Sequence, residues 1–126
     1  MLFRSFYGYV GGPFPTDLAG NPVAINNAGT FLSVDFMTQT IGAGVSVILN
    51  PTTIISGLAS GTIQDFITPN VGIISAPTDP IFLYTTGFFV GPTAAGAITS
   101  FDIRDTNAGL GATGTAVFDR SAPPPQ

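Results

Sequence analysis

Residues 30–36 read TFLSVDF, an alternation with a period of two. Leu32, Val34 and Phe36 share one face, while Ser33 and Asp35 share the other with Phe31. A helix would scatter these residues around its axis. A half-buried strand sorts them cleanly. The same pattern recurs at residues 97–103, where Ile98 and Ser100 fall opposite Thr99, Phe101 and Ile103, and Asp102 faces out.

Working outward, short apolar runs follow one another at intervals of about ten residues, the spacing of an all-β chain. The predicted strands are residues 2–10, 30–36, 44–49, 52–55, 62–67, 72–75, 81–84, 88–90, 97–103 and 113–118. Gly, Pro and Asn punctuate them. Asn26-Asn27-Ala28-Gly29 offers positive-φ positions ahead of a strand, Asn50-Pro51 and Asn70 mark turns, and Pro77 and Pro80 bracket a rigid loop. Helix is poorly supported, with one turn expected over residues 16–19.

Composition points the same way. The 126 residues carry three arginines, seven acidic residues (all aspartate), and no lysine or glutamate; charged residues make up 8%. Lys and Glu favour helices over strands. In their place stand 16 Gly, 11 Pro and many Thr, Ser and Asn, the residues of strands and turns. Disorder is excluded by an apolar fraction of 44% with 11 Phe and a net charge of −4, the reverse of the disordered signature. The expected fold is therefore all-β: an antiparallel β-sandwich or small barrel, jelly-roll or Greek-key-like, with extended terminal arms and little helix. The expected organisation is an aromatic N-terminal strand or arm (1–15), one β domain (16–120) and a Pro-rich extended tail (121–126).

The missing residues also limit chemistry. Without histidine or cysteine the chain lacks the commonest general base and the soft metal ligands. Without lysine it lacks Schiff-base chemistry and a phosphate-binding Walker lysine. The closest acidic pair, Asp102 and Asp105, has no aspartic-protease motif around it. No catalytic residue and no cofactor is expected. Residues 109–114, GLGATG, match a dinucleotide-binding glycine pattern, but they lead into a strand where that motif needs a helix, and so read as a hairpin loop. Residues 105–109, DTNAG, resemble the start of a calcium loop without its later ligands; Asp102, Asp105 and Asn107 are a weak calcium candidate.

Nucleic-acid binding is not expected, since three scattered arginines cannot neutralise a run of phosphates. A membrane helix is not expected either: residues 36–64 are uncharged, but Gly42, Gly44, Pro51 and Gly57 interrupt them. Gly8, Gly11, Gly12 and Pro13 likewise break the apolar start before a signal-peptide core forms.

What remains is assembly. A soluble monomer keeps about a quarter to a third of its surface charged, and β-proteins often guard strand edges with lysine. This chain must close its edges into a barrel, shield them, or pair them with another chain. The ends offer contact elements. Residues 1–10 place Phe3, Ser5, Tyr7 and Tyr9 on one strand face and Leu2, Arg4, Phe6 and Val10 on the other. Pro123-Pro124-Pro125 favours an extended polyproline conformation.

A short Lys- and Cys-free β-chain rich in Gly, Thr, Ala and Phe, with extended ends, resembles the small cement or decoration proteins of tailed-phage capsids. The resemblance is one of overall character and rests on no diagnostic motif. It implies a virion protein on the outer capsid surface, assembled as a dimer or trimer and bridging major capsid protein subunits. Phe3, Phe6, Tyr7, Tyr9 and Pro123, Pro124 and Pro125 would then be its partner-binding arm. Two other readings stand beside it. One is a tail, spike or pilus subunit exchanging residues 1–10 as a strand. The other is a carbohydrate-binding β-sandwich with Tyr7, Tyr9 and Tyr84 as stacking platforms.

Overall fold

The structure, a computed structural model, describes residues 4–120. They form one antiparallel sheet of ten strands: β1 (Arg4–Gly11), β2 (Thr16–Asp17), β3 (Ala24–Ile25), β4 (Phe31–Asp35), β5 (Thr40–Asn50), β6 (Thr53–Thr62), β7 (Ile73–Ile74), β8 (Ile81–Val90), β9 (Gly96–Asp105) and β10 (Leu110–Arg120). A short helix, α1 (Ile63–Ile67), follows β6.

The strand order is β1-β4-β5-β6-β7-β8-β9-β10, and β1 pairs again with β10, so the sheet closes on itself as a barrel. Of the expected forms, the barrel is the one observed. Its strands follow one another around the ring as a meander, where a Greek-key crossing was among the expectations. The two-residue strands β2 and β3 are side pieces on β10 and β5.

Alternation along the strands fills the interior, as in other small barrels. Leu32 and Val34 of β4, Ile41, Ala43, Val45 and Val47 of β5, and Thr99, Phe101 and Ile103 of β9 are buried; for β4 and β9 these are the faces that the sequence pattern assigned. Where the interior is tight the strands carry glycine. A Cβ on Gly87 would run into Ile98 of β9 and the ring of Phe66, and one on Gly57 would press on Ile81 and Leu83. For this reason two predicted breaks do not occur. The apolar run 52–55 continues through Gly57 as β6, and the runs 81–84 and 88–90 join through Gly87 as β8.

Three local readings are corrected. Residues 62–67, expected as a strand, form α1: the Thr62 hydroxyl accepts the Asp65 N–H at 3.0 Å, an N-cap, and the Ile63 N–H donates to the Gln39 carbonyl. Residues 16–19, expected as a helical turn, open with β2. Gly111 and Gly114 are inside β10 and not in a loop, Gly114 lying against Pro15 and Phe101.

Phe66 seals one end of the barrel. It is fully buried and packs on Phe89, whose ring also meets Tyr7 and Phe36 at centroid distances of 5.8 and 5.7 Å.

Candidate functional site: the outer face of β1, β4, β5 and β6

Cross-strand register sets the rows of side chains on this outer wall. Arg4, Asp35, Thr40 and Thr62 form one row; Phe6, Ser33, Gly42 and Ser60 the next; Gly8, Phe31, Gly44 and Leu58 the third. Ser46 faces Ser56, and Ile48 faces Ile54. Glycine occupies β5 twice, at Gly42 and Gly44, so the middle of the wall is sunken.

The Phe31 ring lies down into that depression, since a Cβ on Gly44 would overlap it. Phe6 stacks on Phe31 with centroids 5.7 Å apart and ring planes 11° from parallel. Across the depression stands Leu58, 62% exposed. Beyond Leu58 the loop after β7 forms a rim with Ala76, Asp79 and Pro80. Between Phe31 and this rim runs a groove of about 390 Å³. On the other side of Gly42 and Ser60 the depression turns polar, lined by Arg4, Ser33, Asp35, Thr40 and Thr62.

The polar end is ordered by short-range hydrogen bonds. The Asp35 carboxylate accepts the N–H groups of Met37 at 3.0 Å and Thr38 at 3.2 Å. These donors, with Thr38 contributing most and Arg4 adding a smaller attraction, hold its pKa below the usual carboxylate value. Arg4 donates to the Ser33 hydroxyl at 3.2 Å. On the wall's lower half Ser46 and Ser56 share a hydrogen bond of 2.6 Å, and Asn26 donates to Ser46.

The residues singled out in the sequence are dispersed. Tyr7, expected on a partner-binding arm, is fully buried in this chain's own core. Its hydroxyl donates to the Ala94 carbonyl at 2.6 Å, and burial raises its pKa against the opposing pull of Arg120. The strand that carries it is paired on both edges, with β4 and β10, because its alternate aromatic face is what fills the barrel. Tyr9 is half-buried, edge-on to Phe118. Phe6 alone of the described aromatic arm residues faces outward in a groove wall. Phe3, Pro123, Pro124 and Pro125 lie outside the described residues.

The calcium candidate is not assembled. Asp102 and Asp105 are three residues apart on β9 and so point to opposite faces. Asp102 pairs with Arg104 at 2.8 Å, and Asp105 accepts the Ala108 N–H in the β9–β10 turn. Among the described residues no group of three or more His, Cys, Asp or Glu could hold a metal ion, and no helix is long and apolar enough to cross a membrane.

Sequence reasoning missed Leu58, Ile54 and Asp79 as surface features. The alternation Ile54, Ser56, Leu58 carried the signal, but Gly57 was taken as a break. No protein-family model, curated protein or solved structure matches this chain.

Proposed function

We propose that this chain is a non-catalytic assembly protein, a barrel whose outer wall docks on other protein subunits. The observation that carries this reading is the surface. Leu58, Ile54 and Phe88 are each more than half exposed on outer strand faces, in a chain with only ten charged residues to keep such a surface solvated. Ring closure answers the demand for covered edges along most of the sheet, so the argument for assembly rests on side chains rather than on edges as a whole.

Within that class we propose the particular role of a cement or decoration subunit on the outside of a tailed-phage capsid. Its support is the overall character of the sequence together with a compact β body. Removing residues 1–12 is not a clean test, because it deletes a strand of the barrel. The suitable experiment reads whether a major capsid protein gene lies beside this one, then substitutes Leu58→Asp and Phe88→Asp separately and measures co-sedimentation with capsids of that protein. Wild-type binding with at least one variant lost supports the role. Failure of the folded wild-type protein to co-sediment removes it.

A further inference from the structure

Two depressions meet on the outer wall. One is the groove of about 390 Å³ that reaches Gly57 and Ile81. The other, of about 330 Å³, runs over Gly42 and Ser60 to Ala76. Phe31, Leu58 and Asp79 line both, so the two form one trough along β6 with these side chains at its waist. From Ser56 to Ser60 the trough is about 13 Å long, four strand residues at about 3.3 Å each.

The rim opposite Phe31 is pinned. The Ser75 N–H donates to the Leu83 carbonyl at 2.9 Å, and the Leu83 N–H donates to the Ser75 hydroxyl at 3.1 Å. The Asp79 N–H donates to the Ala76 carbonyl at 3.0 Å, and Pro77 and Pro80 restrict the backbone on either side of the turn. This loop and the start of β8 lie against β6. Whatever enters the trough therefore meets side chains and not a ladder edge.

Asp79 is exposed at the waist. Among the described residues its carboxylate has no ion pair and accepts no hydrogen bond. The three arginines are engaged elsewhere: Arg4 with Ser33, Arg104 with Asp102, and Arg120 with Thr93. The chain has no lysine and no histidine, so it holds no further cationic side chain for this carboxylate.

We propose that the trough receives an extended segment of a partner protein carrying an arginine or lysine flanked by aliphatic residues; the proposal deepens the assembly reading and rests on it. The aliphatic stem of the basic side chain lies along Leu58, and its charged head reaches Asp79 beside the Phe31 ring. Carboxylate and ring both attract a cation. Charge complementarity selects this occupant. A second copy has no unengaged arginine to offer, and an acidic segment would set like charges together at the waist. The net charge of −4 draws a basic partner from longer range. Leu58, 62% exposed, is covered in the complex.

The test adds two end-blocked synthetic peptides to the isotope-labelled full chain and follows its amide NMR signals. One peptide is serine-leucine-arginine-leucine-serine; the other has glutamate in place of arginine. The arginine peptide is expected to move the signals of Ser56, Leu58 and Asp79, and the glutamate peptide to move none. Asp79→Asn should weaken the arginine peptide about three- to fivefold, the range of a rim ion pair. Asp119→Asn, the same charge change on β10, should leave it unaltered. Equal binding of both peptides, equal weakening by both variants, or no arginine-peptide binding at about 5 mM overturns the basic occupant. The capsid assay separates this from the assembly reading. Co-sedimentation that Leu58→Asp abolishes and Asp79→Lys leaves unchanged overturns the basic occupant and keeps assembly. Absence of wild-type co-sedimentation, with the arginine peptide still bound at the trough, removes the capsid role and supports the basic occupant.

Discussion

The two places where distant strands close the barrel differ in kind. At the β1–β10 closure, Tyr7, Gly8, Tyr9 and Gly11 pair with Arg120, Asp119, Phe118 and Val117. Tyr7 drives its ring into the core, its hydroxyl reaches Ala94, and the Arg120 N–H donates to the Ala95 carbonyl at 2.7 Å. At the β6–β8 closure a two-residue strand makes one pair with β6, and the side chain at that pair, Ile74, is half exposed. Backbone ladder, buried aromatic and hydroxyl act together at the first closure. The second has a single ladder pair and leaves Ile74 half in water. The first is held by a ladder and a buried ring together, whereas the second rests mainly on the close packing of β6 at Gly57 against Ile81 and Leu83 of β8.

The largest test of this contrast compares truncations at the two closures. Tyr7→Ala should cost about 3–5 kcal/mol, as for a large buried aromatic. Ile74→Ala should cost about 1 kcal/mol, because half its surface is already in solvent. Urea denaturation reads both, and equal losses would erase the distinction. A finer substitution, Tyr7→Phe, keeps the ring and removes the bond to Ala94. It should cost about 1 kcal/mol in the same measurement; no loss would mean that the ring alone holds the closure.

The smallest effect concerns the polar end of the outer wall. Because the folded Asp35 pKa lies below its unfolded value, its contribution is fully present above the unfolded pKa and is lost as pH falls through the folded one. Thermal melts of wild type and Asp35→Asn should therefore differ near neutral pH and converge as pH falls through and below the usual carboxylate range. A difference that persists at the acid end would assign the effect to the amide's geometry instead of the carboxylate's charge.

The legibility of the molecule follows the same divide. Alternation in TFLSVDF and in residues 97–103 announced which side chains are inside, since burial along a strand is a local, period-two property. Glycine was harder to read. The sequence shows where a Cβ is missing but not whether the gap serves a turn or a close neighbour. Gly57 and Gly87 serve neighbours 24 or more positions away for Gly57 and 11 or more for Gly87, so strands were cut in two. The N-terminal aromatics were legible as a strand, yet whether Tyr7 lies in this core or on a neighbour depended on a partner strand more than a hundred residues later.

By itself, then, the sequence determined an all-β chain with little helix, the faces of its central strands, and the narrow chemistry open to a chain without His, Cys or Lys. These are properties of single residues and of spacings within a strand. Only the tertiary structure decided that the sheet closes, that Tyr7 belongs to the core, and that β6 meets β7 at one residue pair. Each of those depends on register between segments far apart in the chain, which no local pattern encodes.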